Sequence, residues 1–363
     1  MSCNMMQNSD RKPMQPWKGI ADSMVPANVC SQDYAAAMQS PCESCATAPC
    51  CSYLPLTTFR TATLSDLDYA VYLLNFERIE LGLSSAGDWN VFYRHPCRFL
   101  DRKTFACTVH EQPEQPHICR RYNPYRCWYK TALTRSSTPD YVRLDRARLQ
   151  HLITGTGFDD QGNIIESPDW PKLVESLEHI FDAAEEADPP SAAPVETRRA
   201  SDLLPLYTID QVQPCNGCSA YCCKVLMFPV DRPVDASGLD YIQFCLGFPG
   251  IRVGISDALW AVLVDTKCRH LQQNRCALFG QPQRPLACRY YDEWRCVYKP
   301  HFEEPEKVGV VYAGLEQYRR ILKQIELDRN GAIVRWPAVG EMRQAAEEPP
   351  GAVTVTLGAC AAL

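Results

Sequence analysis

The chain has 363 residues, 46% apolar and 22% charged, with a formal net charge of -6 at pH 7. That composition describes a folded chain long enough for two ordinary domains, and the acidic balance argues against sequence-independent nucleic-acid binding. No apolar run approaches the ~18 residues of a membrane span and the first residues lack a secretory h-region, so a cytoplasmic protein with no membrane partner is expected. Twenty cysteines in a reducing compartment then point to metal or redox chemistry, because stable disulfides are unlikely there.

Residues 1–35 lack periodicity and are expected to be disordered. The segment CESCATAPCC, Cys42 to Cys51, leads into Tyr53-Leu-Pro-Leu56, an apolar run expected to be extended. Ser65-Asp-Leu-Asp-Tyr69 offers an N-cap serine with a carboxylate, Asp68, at N3, and predicts a helix over 70–76 with Gly82 as its stop. Trp89 to Tyr93 reads as a strand delivering Cys97. Cys107 follows, then the Pro-rich loop Gln112 to Pro116, then PHICRRYNPYRCWYK (Pro116 to Lys130) with Cys119 and Cys127. A second helix is expected over 145–153. Residues 182–202, acidic and then Pro- and Ala-rich, read as an exposed linker.

From there the chain is written a second time. PLACRYYDEWRCVYK, Pro285 to Lys299, echoes Pro116 to Lys130, and the ungapped match from Cys107 and Cys276 has 11 identities in 24 positions. CNGCSAYCC (Cys215 to Cys223) faces Cys42 to Cys51, Ser237 to Tyr241 faces Ser65 to Tyr69, and Cys268-Arg-His-Leu271 faces Cys97-Arg-Phe-Leu100. Val225 to Val230 and Trp260 to Val264 are the matching strands, Ile242 to Phe248 the matching helix with Gly247 as its stop, and Leu315 to Leu327 the matching second helix. Arg329-Asn-Gly-Ala-Ile-Val334 and Trp336-Pro337 repeat Asp160-Gln-Gly-Asn-Ile-Ile165 and Trp170-Pro171. A repeat unit of about 125 residues is domain-sized, so the pattern is a tandem duplication and not a solenoid. The expected organisation is a first cysteine-cluster domain over 36–181, the linker, a second over 203–345 and a mobile tail over 346–363.

Each copy holds eight cysteines at matching positions: Cys42, Cys45, Cys50, Cys51, Cys97, Cys107, Cys119 and Cys127, then Cys215, Cys218, Cys222, Cys223, Cys268, Cys276, Cys288 and Cys296. Only Cys3, Cys30, Cys245 and Cys360 fall outside the set. A C-x-x-C turn sets two thiolates on one side of a tight bend, within reach of one tetrahedral ion or two corners of a cluster. Adjacent side chains point apart, so each double cysteine serves two centres, or one ligand position and one supporting position. The sixteen thiols are the candidate metal ligands, and no catalytic residue is singled out. Arg120, Arg126, Lys130, Arg289, Arg295 and Lys299 are candidates to offset thiolate charge, against an ordinary solvated face at even odds. Tyr122, Tyr129, Tyr291 and Tyr298 are more simply packing residues. His95, His110 and His117 lie near cysteines in the first copy only, their aligned partners being Thr266, Phe279 and Leu286, and they rank below the cysteines as ligands. No nucleotide loop or C-x3-C-x2-C motif occurs.

The arrangement resembles the CxxCxxCC cysteine-cluster family of the YkgJ type, described as zinc- or iron-chelating and grouped with flagellin lysine N-methylase. The resemblance covers nearly all of residues 40 to 335 and rests on the cysteine skeleton and the P-x-x-C-R segment. The duplication and its elements lead us to expect an α+β fold of two homologous small cysteine-rich metal-stapled domains in tandem, and the resemblance tilts the cofactor toward an iron–sulfur cluster, with zinc as the alternative. Three functions stay open: a metal-binding, iron–sulfur protein with a redox or cofactor-handling role; a protein lysine N-methylase, implied only by the family grouping; and a zinc-stapled interaction module without catalysis. The protein partner or substrate is not specified by the residues. Because each copy carries a complete candidate ligand set, the copies are expected to work independently, with few contacts crossing between them.

Overall fold

The computed structural model describes residues 48–122, 127–133, 137–185, 219–257, 259–291 and 296–347. The expected disordered start over 1–35, the linker from 186 onward, the tail from 348 onward and Cys42, Cys45, Cys215 and Cys218 lie outside these residues.

The protein is a mixed α+β structure in which one plan is built twice. In the first copy the run after the double cysteine forms β1 (Tyr53–Phe59), burying Leu54 and Leu56 on alternate positions. It joins β2 (Ile79–Ser84), β3 (Trp89–Arg94), β4 (Ser137–Thr138) and β5 (Tyr141–Leu144) in an antiparallel sheet of order β1-β3-β2-β5-β4. A small hairpin, β6 (Gly157–Phe158) with β7 (Ile164–Glu166), stands apart. The second copy repeats the sheet order with β8 (Val225–Val230), β9 (Ile251–Ile255), β10 (Trp260–Asp265) and, beyond a short β11 (Leu271–Gln272)–β12 (Arg275–Cys276) pair, β13 (Val311–Ala313). Its separate hairpin is β14 (Glu326–Leu327) with β15 (Ile333–Arg335).

The helices follow the same duplication: α1 (Leu64–Leu74), α2 (His117–Arg121), α3 (Trp128–Leu133), α4 (Arg146–Thr154) and α5 (Trp170–Glu185), then α6 (Ala236–Leu246), α7 (Leu286–Arg289), α8 (Tyr298–Glu303), α9 (Leu315–Leu322) and α10 (Val339–Glu347). Helix α1 starts before the expected serine. Thr63 is its N-cap, accepting from the Asp66 amide at 3.2 Å while the Asp66 carboxylate accepts from the Thr63 amide at 3.0 Å. In α6 the cap is Asp235, accepting from the Gly238 amide at 2.8 Å. Asp68 and Asp240, read from the sequence as capping carboxylates, therefore lie inside their helices. Gly247 does cap α6, but Gly82 stops nothing: it lies in β2, where a Cβ would strike the ring of buried Tyr141. Helix α9 ends at Leu322, short of the expected 327, because Asn330-Gly331 turns the chain at a positive φ and Glu326–Leu327 pairs instead with β15. Helix α5 runs to Glu185, into the stretch read as linker.

The expectation of few contacts between the copies is corrected. Buried residues of both sheets and both long helices form one continuous apolar core. The junction is reciprocal. Asp240, on α6 of the second copy, accepts from the amides of His117 (2.9 Å) and Ile118 (2.8 Å) at the start of α2 of the first. Its aligned counterpart Asp68, on α1 of the first copy, accepts from the Leu286 amide (2.6 Å) at the start of α7 of the second, and from that of Ala287. Likewise the Arg98 amide donates to Gly247 O at 2.9 Å, and the aligned Arg269 amide donates to Asn75 O at 2.9 Å. The copies are thus related by an approximate two-fold exchange, each helix capping the cysteine-bearing turn of the other.

Candidate metal centre

Each double cysteine closes a one-turn 3-10 helix, Pro49–Cys51 or Tyr221–Cys223, entered through an alanine in the left-handed region (Ala48 φ 38, Ala220 φ 56). The short segment that leaves β3 or β10 then docks on this turn. The Cys97 amide donates to Cys51 O at 2.7 Å, and the Cys268 amide to Cys223 O at 2.8 Å. Cys107 and Cys276 come alongside by pairing with Leu100 and Leu271. Cys119 and Cys288 sit on α2 and α7, whose entry from Pro116 and Pro285 leaves the first amides for the Asp240 and Asp68 carboxylates.

The outcome is two thiol groups. Cys50, Cys97 and Cys107 are near enough to Cys119 to act on it electrostatically, and Cys50, Cys97 and Cys119 act likewise on Cys51. Cys222, Cys268 and Cys276 surround Cys288 in the same way, and Cys222, Cys268 and Cys288 surround Cys223. Burial, with mutual repulsion, pushes the Cys119 thiol up, and burial pushes the Cys97 thiol up to about 11. Against the expectation that adjacent cysteine side chains point apart, Cys50 and Cys51 hydrogen-bond each other, as do Cys222 and Cys223, and the bond that Cys223 donates, with help from Arg284, holds Cys222 below the usual thiol range. Cys127 and Cys296 lie at one edge. The Tyr291 hydroxyl donates to Cys296 Sγ at 3.4 Å, and Tyr122 makes the matching bond to Cys127. Among the described residues no three His, Cys, Asp or Glu side chains converge tightly enough to grip an ion. None of the thirteen described cysteines is in a disulfide.

Walls of each group come from the other copy. Tyr69 and Tyr72 on α1 stack with ring centroids 5.8 Å apart and face Tyr298, Cys222 and Cys288. Tyr241 on α6 faces Tyr129, beside Cys50 and Cys127. A Cβ on Gly247 would stand 3.5 Å from Cys97 Sγ.

Several candidates are placed differently from the sequence expectation. Arg120 and Arg289 donate to the loop carbonyls of Gln112 and Pro282, tying the Pro-rich loop to the C-R turn, rather than to thiolates. Guanidiniums facing thiols include Arg98, Arg146, Arg269 and Arg284, and the repeated Cys-Arg dipeptide could have flagged Arg98 and Arg269. His110 and His117 are exposed, and His95 Nδ1 bonds to Pro96 O at 2.8 Å. Arg126 and Arg295 lie outside the described residues.

Against the second group lies a small cleft at the junction of the copies, partly open to solvent and lined by Asp68, Val71, Asn75, Arg146, His270 and Arg284 among others. Burial raises the Asp68 carboxyl to about 6, against the amides of Leu286 and Ala287 and the charge of Arg289, which pull it down. An aspartate raised from 3.8 in the unfolded chain takes up its proton on folding, so its stabilising contribution is full below about pH 4 and is lost as pH rises through 6. The groups facing it are Arg289, Arg146, Arg284 and His270, and burial with the neighbouring arginines pushes His270 down to about 4, so it stays neutral across this window. Denaturant titrations between pH 4 and 7 should show stability falling in the wild-type chain and a flatter profile in Asp68→Asn, the difference over that window being at most about 2.5 kcal/mol. Parallel profiles would show that Asp68 does not titrate here.

No protein-family model matches the chain, no curated protein matches its sequence, and no solved structure matches its fold. Among the described residues no helix is long and apolar enough to cross a membrane.

Proposed function

We propose that the chain is a metal-binding cysteine-cluster protein, two homologous metal-stapled units in tandem, whose thiols hold an iron–sulfur cluster used in redox or cofactor handling. The observation that carries this reading is the same construction made twice: a cysteine turn, a docked strand-end cysteine and a capped C-R turn bring five thiols into one neighbourhood in each copy, without a disulfide. The donor set fits such a group. It consists of soft sulfurs with no carboxylate or imidazole among them, which suits iron–sulfur clusters or zinc and not hard cations. Cys42, Cys45, Cys215 and Cys218 would complete the sets. The resemblance to the YkgJ-type cysteine-cluster family favours iron over zinc. When bound, the metal group would supply electron transfer and a share of the folding free energy, while the chain's own residues shield it with tyrosines and arginines.

Anaerobic purification followed by iron, sulfide and zinc analysis tests the reading. Iron with equimolar sulfide and an absorption that bleaches on reduction is expected; stoichiometric zinc without sulfide would replace the cluster by a zinc-stapled interaction module, and absence of all three would overturn metal binding. Cys119→Ser and Cys288→Ser should each lose about half the metal, since each opens one set. Cys245, fully buried in the core on α6 and outside both sets, is the control: Cys245→Ala should keep full metal content at a packing cost of about 1 kcal/mol. Equal metal loss in all three variants would defeat the assignment of ligands.

A further inference from the structure

Buried polar groups in a folded protein find partners, and the exceptions mark strain, solvent or a ligand. Of nine buried side-chain polar atoms without a hydrogen-bond partner among the described residues, five belong to residues lining one cleft: Asn75 Oδ1, Arg146 Nη1, His270 Nε2, Gln283 Oε1 and Arg284 Nε. Asn75 and Arg146 come from the first copy, the other three from the second. A guanidinium can only donate, and neither Arg146 nor Arg284 has a carboxylate partner among the described residues. Arg289, also in the lining, is used up on the carbonyls of Arg284 and Pro282, and Asp68 is engaged by the amides of α7. Two guanidiniums thus line one small space, each with a buried nitrogen that no hydrogen-bond acceptor among the described residues answers, the one carboxylate in the lining, Asp68, being held by the amides of α7.

The duplication supplies an internal control. By the sheet registers and the cysteine alignment, the positions corresponding to Asn75, Arg146, His270 and Arg284 across the approximate two-fold are Gly247, Leu315, Phe99 and Gln115. There the chain satisfies itself: Leu315 is buried in the core, and Gln115 Oε1 accepts from the Glu111 amide at 2.8 Å. The docking of the two copies does not by itself require the polar set, since the mirror junction is made without it.

We propose that this cleft binds a small oxoanion, a carboxylate or phosphate-type group, gripped by Arg146 from one copy and Arg284 from the other. Guanidinium forks match the paired oxygens of either group, and partial exclusion of water strengthens the bond. Both arginines also face thiols of the second group, Arg146 toward Cys268 and Arg284 toward Cys222 and Cys288, so the anion would sit at the edge of that group and of no other. Burial, with the neighbouring Arg269, holds Arg146 down to about 10 although Cys268 acts the other way. The site stands whatever metal the thiols hold.

Calorimetric titration of the full-length purified protein with inorganic phosphate and, separately, with acetate, at constant ionic strength in chloride, is the test. Saturable binding of one molecule per chain is expected for at least one of the two, and the preferred anion tells phosphate-type from carboxylate chemistry. Arg146→Leu and Arg284→Gln, which install the residues of the mirror position, should each weaken it at least 10-fold, whereas exposed Arg60→Gln should not. Metal content measured on the same samples separates a lost anion site from lost thiol ligation. No saturable binding of either anion, or binding indifferent to both arginine substitutions, overturns the proposal; so does binding that falls only in proportion to metal loss, since the arginines would then serve the thiols alone.

Discussion

Residues 36–195 and 196–363, expressed as separate chains, are expected to lack cooperative unfolding and to recover it when mixed. Each fragment carries its own candidate thiols, but neither carries its own walls. Separation exposes a core to which both sheets contribute, including Leu73, Phe76, Leu246 and Phe248, all at most 1% exposed. It also strips Asp68 and Asp240 of the amides they accept from, and leaves the first turns of α2 and α7 uncapped. Lost burial of this kind removes on the order of 2 kcal/mol per large side chain, more than a small domain has in reserve. Calorimetry on the intact chain should give one transition, and metal should bind tightly only to the mixture. Two fragments that each fold and each load metal would show that the junction is dispensable.

Gly82→Ala is expected to be the most damaging single substitution in the sheet. A Cβ there would occupy the space of the Tyr141 ring, which is 3% exposed and stands edge-on to Trp128 at 5.1 Å. The ring cannot retreat without pushing on the cluster around Phe92, Tyr129 and Cys127, so the substitution should cost about 3 kcal/mol and lower the Tm of a chain unfolding as one unit by roughly 4–5 °C. Gly254, in β9 of the second copy, is the matched case. Its Cβ would meet only the ends of Leu263 and Tyr312 at 3.1 Å, which can give way, and Gly254→Ala should cost about 1 kcal/mol. Comparable losses in both variants would mean that Tyr141 is not what the glycine accommodates.

Much of each half could be read from residue order. The period-2 runs around Leu54 and Trp89, the helix before Gly247 and the match of one copy to the other all became the elements expected of them, because they depend on neighbours in sequence. What failed depends on neighbours in space. Asp68 reads locally as a capping carboxylate, yet Thr63 and Asp66 already cap α1 and Asp68 reaches across to α7. Gly82 reads as a helix stop until Tyr141 is seen above it. The strands β2 and β9 do alternate, with Ile79, Leu81 and Leu83 in one and Ile251, Val253 and Ile255 in the other, so their period-2 pattern was also legible from residue order. For the site, spacing named the thiols that gather but not the arginines and tyrosines around them. Tyr69, Tyr72 and Tyr241 lie in one copy and serve the other, a relation that no linear spacing encodes.

The reciprocal capping has the form of a dimer interface contained in a single polypeptide. When two identical subunits meet about a two-fold axis, any change appears on both sides at once, so a favourable charge at one junction is forced on the other. Joining the copies removes that constraint while keeping the partners at high effective concentration. One junction can then be made with Leu315, Phe99 and Gln115, while its twin collects Arg146, His270 and Arg284 around a cleft. Fusion would in this way let a symmetric scaffold carry two unlike sites, one half holding the frame while the other takes on new chemistry.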